Sequence, residues 1–171
     1  MYPFSNKRVI FVLLLLMWAE LSLVPFFSIR GVKPDFLFIF LAFYAFKVEW
    51  KRLIRVAFVV GMLRDLMTNS FFGLETAAFV GSALALQFFA IQFDREKKWI
   101  QMVSLFIFSY FNLILFFSLN IFVAGHYQPI DWFWIKVFFI SLYTTGVGFL
   151  LFPFLERWLQ PVLYDKQYEL F

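Results

Sequence analysis

Cysteine is absent from the 171 residues, which removes disulfides, thiolate nucleophiles and cysteine metal ligands together and fits any redox compartment. Histidine occurs once, at His126, with Asp131 as the nearest acid. A second imidazole for a metal site is therefore missing, and a solvated loop residue is the expected role. No Gly-x-Ser-x-Gly elbow, serine/lysine dyad or phosphate-cradling glycine loop is present, so nucleophilic and phosphoryl-transfer catalysis lose their usual signatures. The chain reads as non-enzymatic and without a cofactor. It also lacks internal repeats, low-complexity tracts and Gly/Ser linkers, leaving no boundary at which to divide it. Charge is scarce too: 15% of residues are charged, against about 25% in an average soluble domain.

What the chain holds instead is apolar length. Hydrophobic residues make up 63% and aromatic residues 25%, the composition of an integral membrane protein. A span needs about 20 apolar residues to cross a roughly 30 Å core, with shorter segments accommodated inside protein. Six segments qualify: residues 9–28, 36–46, 53–72, 74–93, 99–124 and 132–154. Their runs are continuously apolar, whereas the strands of a membrane barrel alternate. The expectation is an all-α bundle of six transmembrane helices forming one membrane domain over residues 1–171. Lys7-Arg8 before a leucine-rich stretch resembles a signal peptide. Pro25, Phe26 and Phe27 stand where a small-residue cleavage site would lie, so an uncleaved first helix is expected.

Lysine and arginine set the expected orientation, because positive residues near helix ends stay in the cytoplasm. One set of connections carries Lys7, Arg8, Lys47, Lys51, Arg52, Arg55, Arg95, Lys97, Lys98, Arg157 and Lys166, and the other only Arg30, Lys33 and Lys136. Eleven against three places both termini in the cytoplasm and explains the net charge of +4 by topology and attraction to lipid headgroups, not by nucleic acid. Trp50, Trp99, Trp132, Trp134 and Trp158 fall near the expected helix ends, as interfacial belt residues do.

Adjacent ionisable residues interrupt the third segment. Arg64 and Asp65 lie inside Val56 to Phe72, where charge costs several kcal/mol unless it is paired or faces protein. On a helix they are about 100° apart, so each needs another partner. Gly61, Thr68 and Asn69 extend the polar strip, and Glu20, Gln87 and Asn112 are the other intramembrane candidates. We expect Arg64 to bridge Glu20 and Asp65 in the bundle interior; the functional alternative for these charges is a proton or ion path. Ala77, Gly81 and Ala85 recur at four-residue spacing with Ala78 and Ser82 beside them, a small-residue helix-packing face. Gly146, Gly148, Thr144 and Thr145 form a weaker one.

Two motifs carry a resemblance. Pro34-Asp35 opens the short second segment, and Gly61-x-x-x-Asp65-x-x-x-x-Ser70-x-x-Gly73-Leu74 joins the third and fourth. With the six-helix layout and the length, this pattern resembles the rod shape-determining MreD family over Lys33 to about Ala90. The resemblance implies a non-catalytic scaffold of the bacterial inner membrane that binds MreC, a protein with one membrane helix and a periplasmic coiled coil. Through MreC it implies association with the MreB filament, RodA and a penicillin-binding transpeptidase. The positions matching the family pattern are Pro34, Asp35, Gly61, Asp65, Ser70 and Gly73; Arg64 departs from the mostly apolar residues expected before that aspartate. The family is also similar in outline to the substrate-binding subunits of energy-coupling-factor vitamin transporters, which supplies an alternative function. Those subunits carry an Ala-x-x-x-Ala pattern in their first helix, whereas this first segment has only Ala19, which favours the scaffold.

Overall fold

The computed structural model describes residues 6–22, 25–28, 31–68, 71–93, 97–125 and 133–159. Among them are six helices: α1 Asn6–Ser22, α2 Phe36–Lys47, α3 Trp50–Met67, α4 Leu74–Gln92, α5 Lys98–Ala124 and α6 Phe133–Leu159. Helices close their own backbone hydrogen bonds, which is what a chain this apolar requires. Three of the six, α4, α5 and α6, are long and apolar enough to cross a membrane.

The organising element is the shortest. α2 has 12 residues, about 18 Å of helix, too little for a roughly 30 Å hydrocarbon core. Its sequence FLFIFLAFYAFK is apolar on every side, and all ten residues from Leu37 to Phe46 are buried. A helix with no polar face is stable only when surrounded, and α2 packs against each of the other five. α3, α4, α5 and α6 pack successively on one another around it, with α1 resting on α2. Edge-to-face ring pairs fix two of these contacts, Phe38 with Phe79 of α4 and Phe43 with Phe152 of α6, the geometry that ring quadrupoles favour.

The outer helices each bury one stripe. On α6 it is Val137, Ser141, Thr144, Gly148, Phe152, Leu155 and Leu159, spaced three or four apart as a 3.6-residue helix demands. Phe149 and Leu150 between them are largely exposed, as lipid-facing positions would be. On α4 the buried set includes Thr76, Phe79, Ala83, Leu86 and Ala90. Of the expected face Ala77, Gly81 and Ala85, Gly81 meets Leu115 of α5 and Ala85 packs against the core, while Ala77 is exposed. Small residues permit close approach on either side, but the bulky Phe79 and Leu86 decide which side faces α2.

Three boundaries also differ from expectation. α1 reaches Ser22 instead of 28, and Pro25, Phe26 and Phe27 form a turn; proline lacks the N–H a helix needs and disfavours helical geometry before it. α3 begins at Trp50 and ends at Met67 with Thr68 extended, five residues short of the expected 72. α6 continues through Pro153 to Leu159, since Leu155 and Leu159 still have core to fill.

Candidate functional site

At the start of α2, side chains from three other helices converge on Asp35 and Phe36. Asp35 is extended, at φ −103° and ψ 94°, and its Oδ1 accepts the Phe38 N–H at 2.8 Å, satisfying one of the donors a helix start leaves open. Phe36 N–H donates to Glu20 Oε2 of α1 at 2.9 Å, and Asp35 N–H to Thr144 Oγ1 of α6 at 3.2 Å. Two carboxylates thus sit at the positive end of one helix, which their charge favours. The Arg64 guanidinium of α3 closes the cluster. Its Nη1 lies 2.5 Å from Glu20 Oε1 and its Nη2 3.7 Å from Asp35 Oδ2. Glu20 and Asp35 are nearly buried, at 8% and 10% side-chain exposure, so the arginine supplies the counter-charge the interior requires. Arg64 Nε is buried without a hydrogen-bond partner.

The expected bridge is therefore corrected at one end. Arg64 joins Glu20 to Asp35, and Asp65 belongs to a separate network at the start of α4. Asp65 Oδ2 accepts the Gly73 N–H at 3.0 Å, the Thr76 N–H at 3.2 Å and the Thr76 hydroxyl at 2.6 Å, while Oδ1 accepts the Glu75 N–H at 3.0 Å. A carboxylate eight residues upstream thus does the work of a helix cap from a different helix. Gly73 makes this possible: its φ of 99° lies in the left-handed region, which glycine enters without steric cost. Of the motif positions, Pro34 and Asp35 start α2, Gly61 allows α3 to touch α4, and Asp65 and Gly73 shape the α3 to α4 connection. Ser70, Asn69, His126 and Trp132 lie outside the described residues.

Beside the Arg64 cluster is a cavity of about 400 Å³, bordered by Glu20, Asp35, Arg64, Lys33 and Lys136, with Ile140 among its apolar walls. Other polar residues tie the bundle elsewhere. Gln87 Nε2 donates to Val48 O at 2.7 Å at the far end of α2, Ser82 donates to Asn112 Oδ1 at 3.0 Å between α4 and α5, and Lys47 pairs with Glu156 at 2.8 Å. The sequence offered no sign of the Asp35 to Arg64, Thr144 or Glu156 pairings, although an aspartate directly after proline at a helix start is a legible cap.

The fold and site define a helical membrane protein in which buried charge is spent on holding helix ends together. The chain belongs to the rod shape-determining protein MreD family, whose model matches residues 3–162. No curated protein and no solved structure matches it. Membership gives the chain a role in determining rod cell shape.

Proposed function

We propose that the protein is a non-catalytic scaffold subunit of the bacterial cell-elongation complex, crossing the inner membrane six times with both termini in the cytoplasm. In this reading it binds MreC directly and, with MreB, RodA and a penicillin-binding transpeptidase, positions peptidoglycan synthesis along the side wall. The family match over residues 3–162 carries the reading. The use of Arg64, Glu20, Asp35 and Asp65 as braces for helix starts supports it, because those side chains are occupied as structural acceptors and donors. Partners recovered from mildly solubilised membranes of the native host test it. Recovery of a single-span coiled-coil protein with RodA and the transpeptidase is the expected result; recovery of a coupling-factor membrane subunit with ATPases would overturn it.

The cavity at Arg64 favours one second reading, a substrate-capture subunit of a vitamin-type energy-coupling-factor transporter. Native mass spectrometry of the purified protein separates the two: a small molecule retained at one copy per chain and lost in Lys136→Glu supports capture.

A further inference from the structure

A second cavity, of about 370 Å³, lies at the opposite end of the bundle between α1 and α3. Its walls are Val9, Ile10 and Leu13 on α1 and Val56 and Val59 on α3, and Tyr44 of α2 forms its floor. Arg52 and Arg55 of α3 close one end. Residues 52, 55, 56 and 59 share one helix face, so the groove runs from two guanidiniums to an apolar stretch about 10 Å further along the helix. Neither arginine makes an ion pair among the described residues; Arg55 Nε reaches only the Lys51 carbonyl, at 3.4 Å. Both arginines are exposed, as are Ile10 at 56% and Val59 at 48%.

This is the division of an anionic phospholipid: a phosphate that guanidinium binds in fork geometry, followed by acyl chain that belongs against valine, isoleucine and leucine. Arg52 and Arg55 lie in the first turns of α3, which in the six-span topology proposed above is the end that meets headgroups, so charge and apolar walls stand in the matching order along the membrane normal. The geometry points to a site for one anionic phospholipid molecule in the groove between α1 and α3, with its phosphodiester on Arg52 and Arg55 and an acyl chain along Val56 and Val59. The site rests on the membrane topology of the proposed function but on none of the partners it names, and it uses none of the residues at the start of α2 or α4, so loss of partner recovery would leave it standing.

The test reconstitutes the full chain in nanodiscs of phosphatidylcholine with a minor fraction of phosphatidylglycerol and counts, by native mass spectrometry, the phosphatidylglycerol retained. Three variants are compared: Arg52→Gln/Arg55→Gln, which removes the phosphate ligands; Val59→Trp, which fills the acyl groove and keeps every charge; and Lys98→Gln/Arg157→Gln, which removes two exposed charges from the same end of the bundle outside the groove. Retention should fall about thirtyfold in the first, as losing two cations near a headgroup implies, fall at least several-fold in the second, and stay within about twofold of the parent in the third. Equal loss in the first and third would mean diffuse attraction and overturn the site. Undiminished retention in Val59→Trp, or displacement of the lipid by inorganic phosphate, would overturn it as well. So would a partner helix crosslinking from position 59 in native membranes.

Discussion

A Cβ placed on Gly61 would stand 2.5 Å from the Cα of Thr76, so α3 and α4 meet there backbone to backbone. The contact lies beside the Asp65 network, because Thr76 gives both its N–H and its hydroxyl to that carboxylate. Neither helix can yield without disturbing the other's hydrogen bonds. Gly61→Val should therefore lower stability by about 1–3 kcal/mol, the usual cost of overpacking a tight contact. An unchanged thermal midpoint in detergent would reject the backbone contact.

Asp65→Ala removes the acceptor for three backbone N–H groups and one hydroxyl. Each buried donor left unpaired costs about 1–3 kcal/mol, so a loss of about 3 kcal/mol or more is expected, and α4 should fray from its start. Thr76→Val removes only one of these donors and should cost about 1 kcal/mol. Hydrogen exchange at Glu75 and Thr76 checks both, and equal protection in the parent and Asp65→Ala would contradict the capping role.

Arg64→Ala leaves Glu20 and Asp35 facing each other at the start of α2 without their counter-charge. Breaking a buried pair from one side costs about 3–5 kcal/mol, and folded yield should fall accordingly. Adding Glu20→Gln removes one of the stranded charges and should restore part of the yield, since the amide can still accept from Phe36 N–H. Failure of Glu20→Gln to rescue any yield, measured by size-exclusion chromatography of membrane extracts, would count against the bridge.

Gly73→Leu tests the turn into α4 apart from its packing. Nothing lies within 4 Å of a Cβ at this position, yet its φ is +99°, so the cost is backbone strain alone, about 1–3 kcal/mol. Gly73→Asn should cost less, because asparagine tolerates positive φ better than leucine. Equal melting of the two variants would show that conformation is not the constraint.

Much of the helix inventory was legible from sequence. Apolar runs of the right length, the Pro34-Asp35 start of α2 and the Gly73-Leu74 start of α4 locate the elements, because run length and turn chemistry are local properties. The end of α1 was less legible: Pro25 marked the break, but apolarity on both sides of it read as one span. The exposed Ala77 was illegible for a different reason. Four-residue spacing says that Ala77, Gly81 and Ala85 share a face, and it is silent on which neighbour, if any, that face meets.

Apolar runs of span length, and charge at Arg64 and Asp65 that other parts of the chain have to answer, are properties of the linear sequence. Which residues answer that charge follows from how the helices pack. Glu20 is 44 residues from Arg64 along the chain, and the neighbours Arg64 and Asp65 serve the starts of two different helices, α2 and α4. Their side chains leave α3 about 100° apart, so they meet different surroundings, and those surroundings exist only once α2 is enclosed by the other five helices.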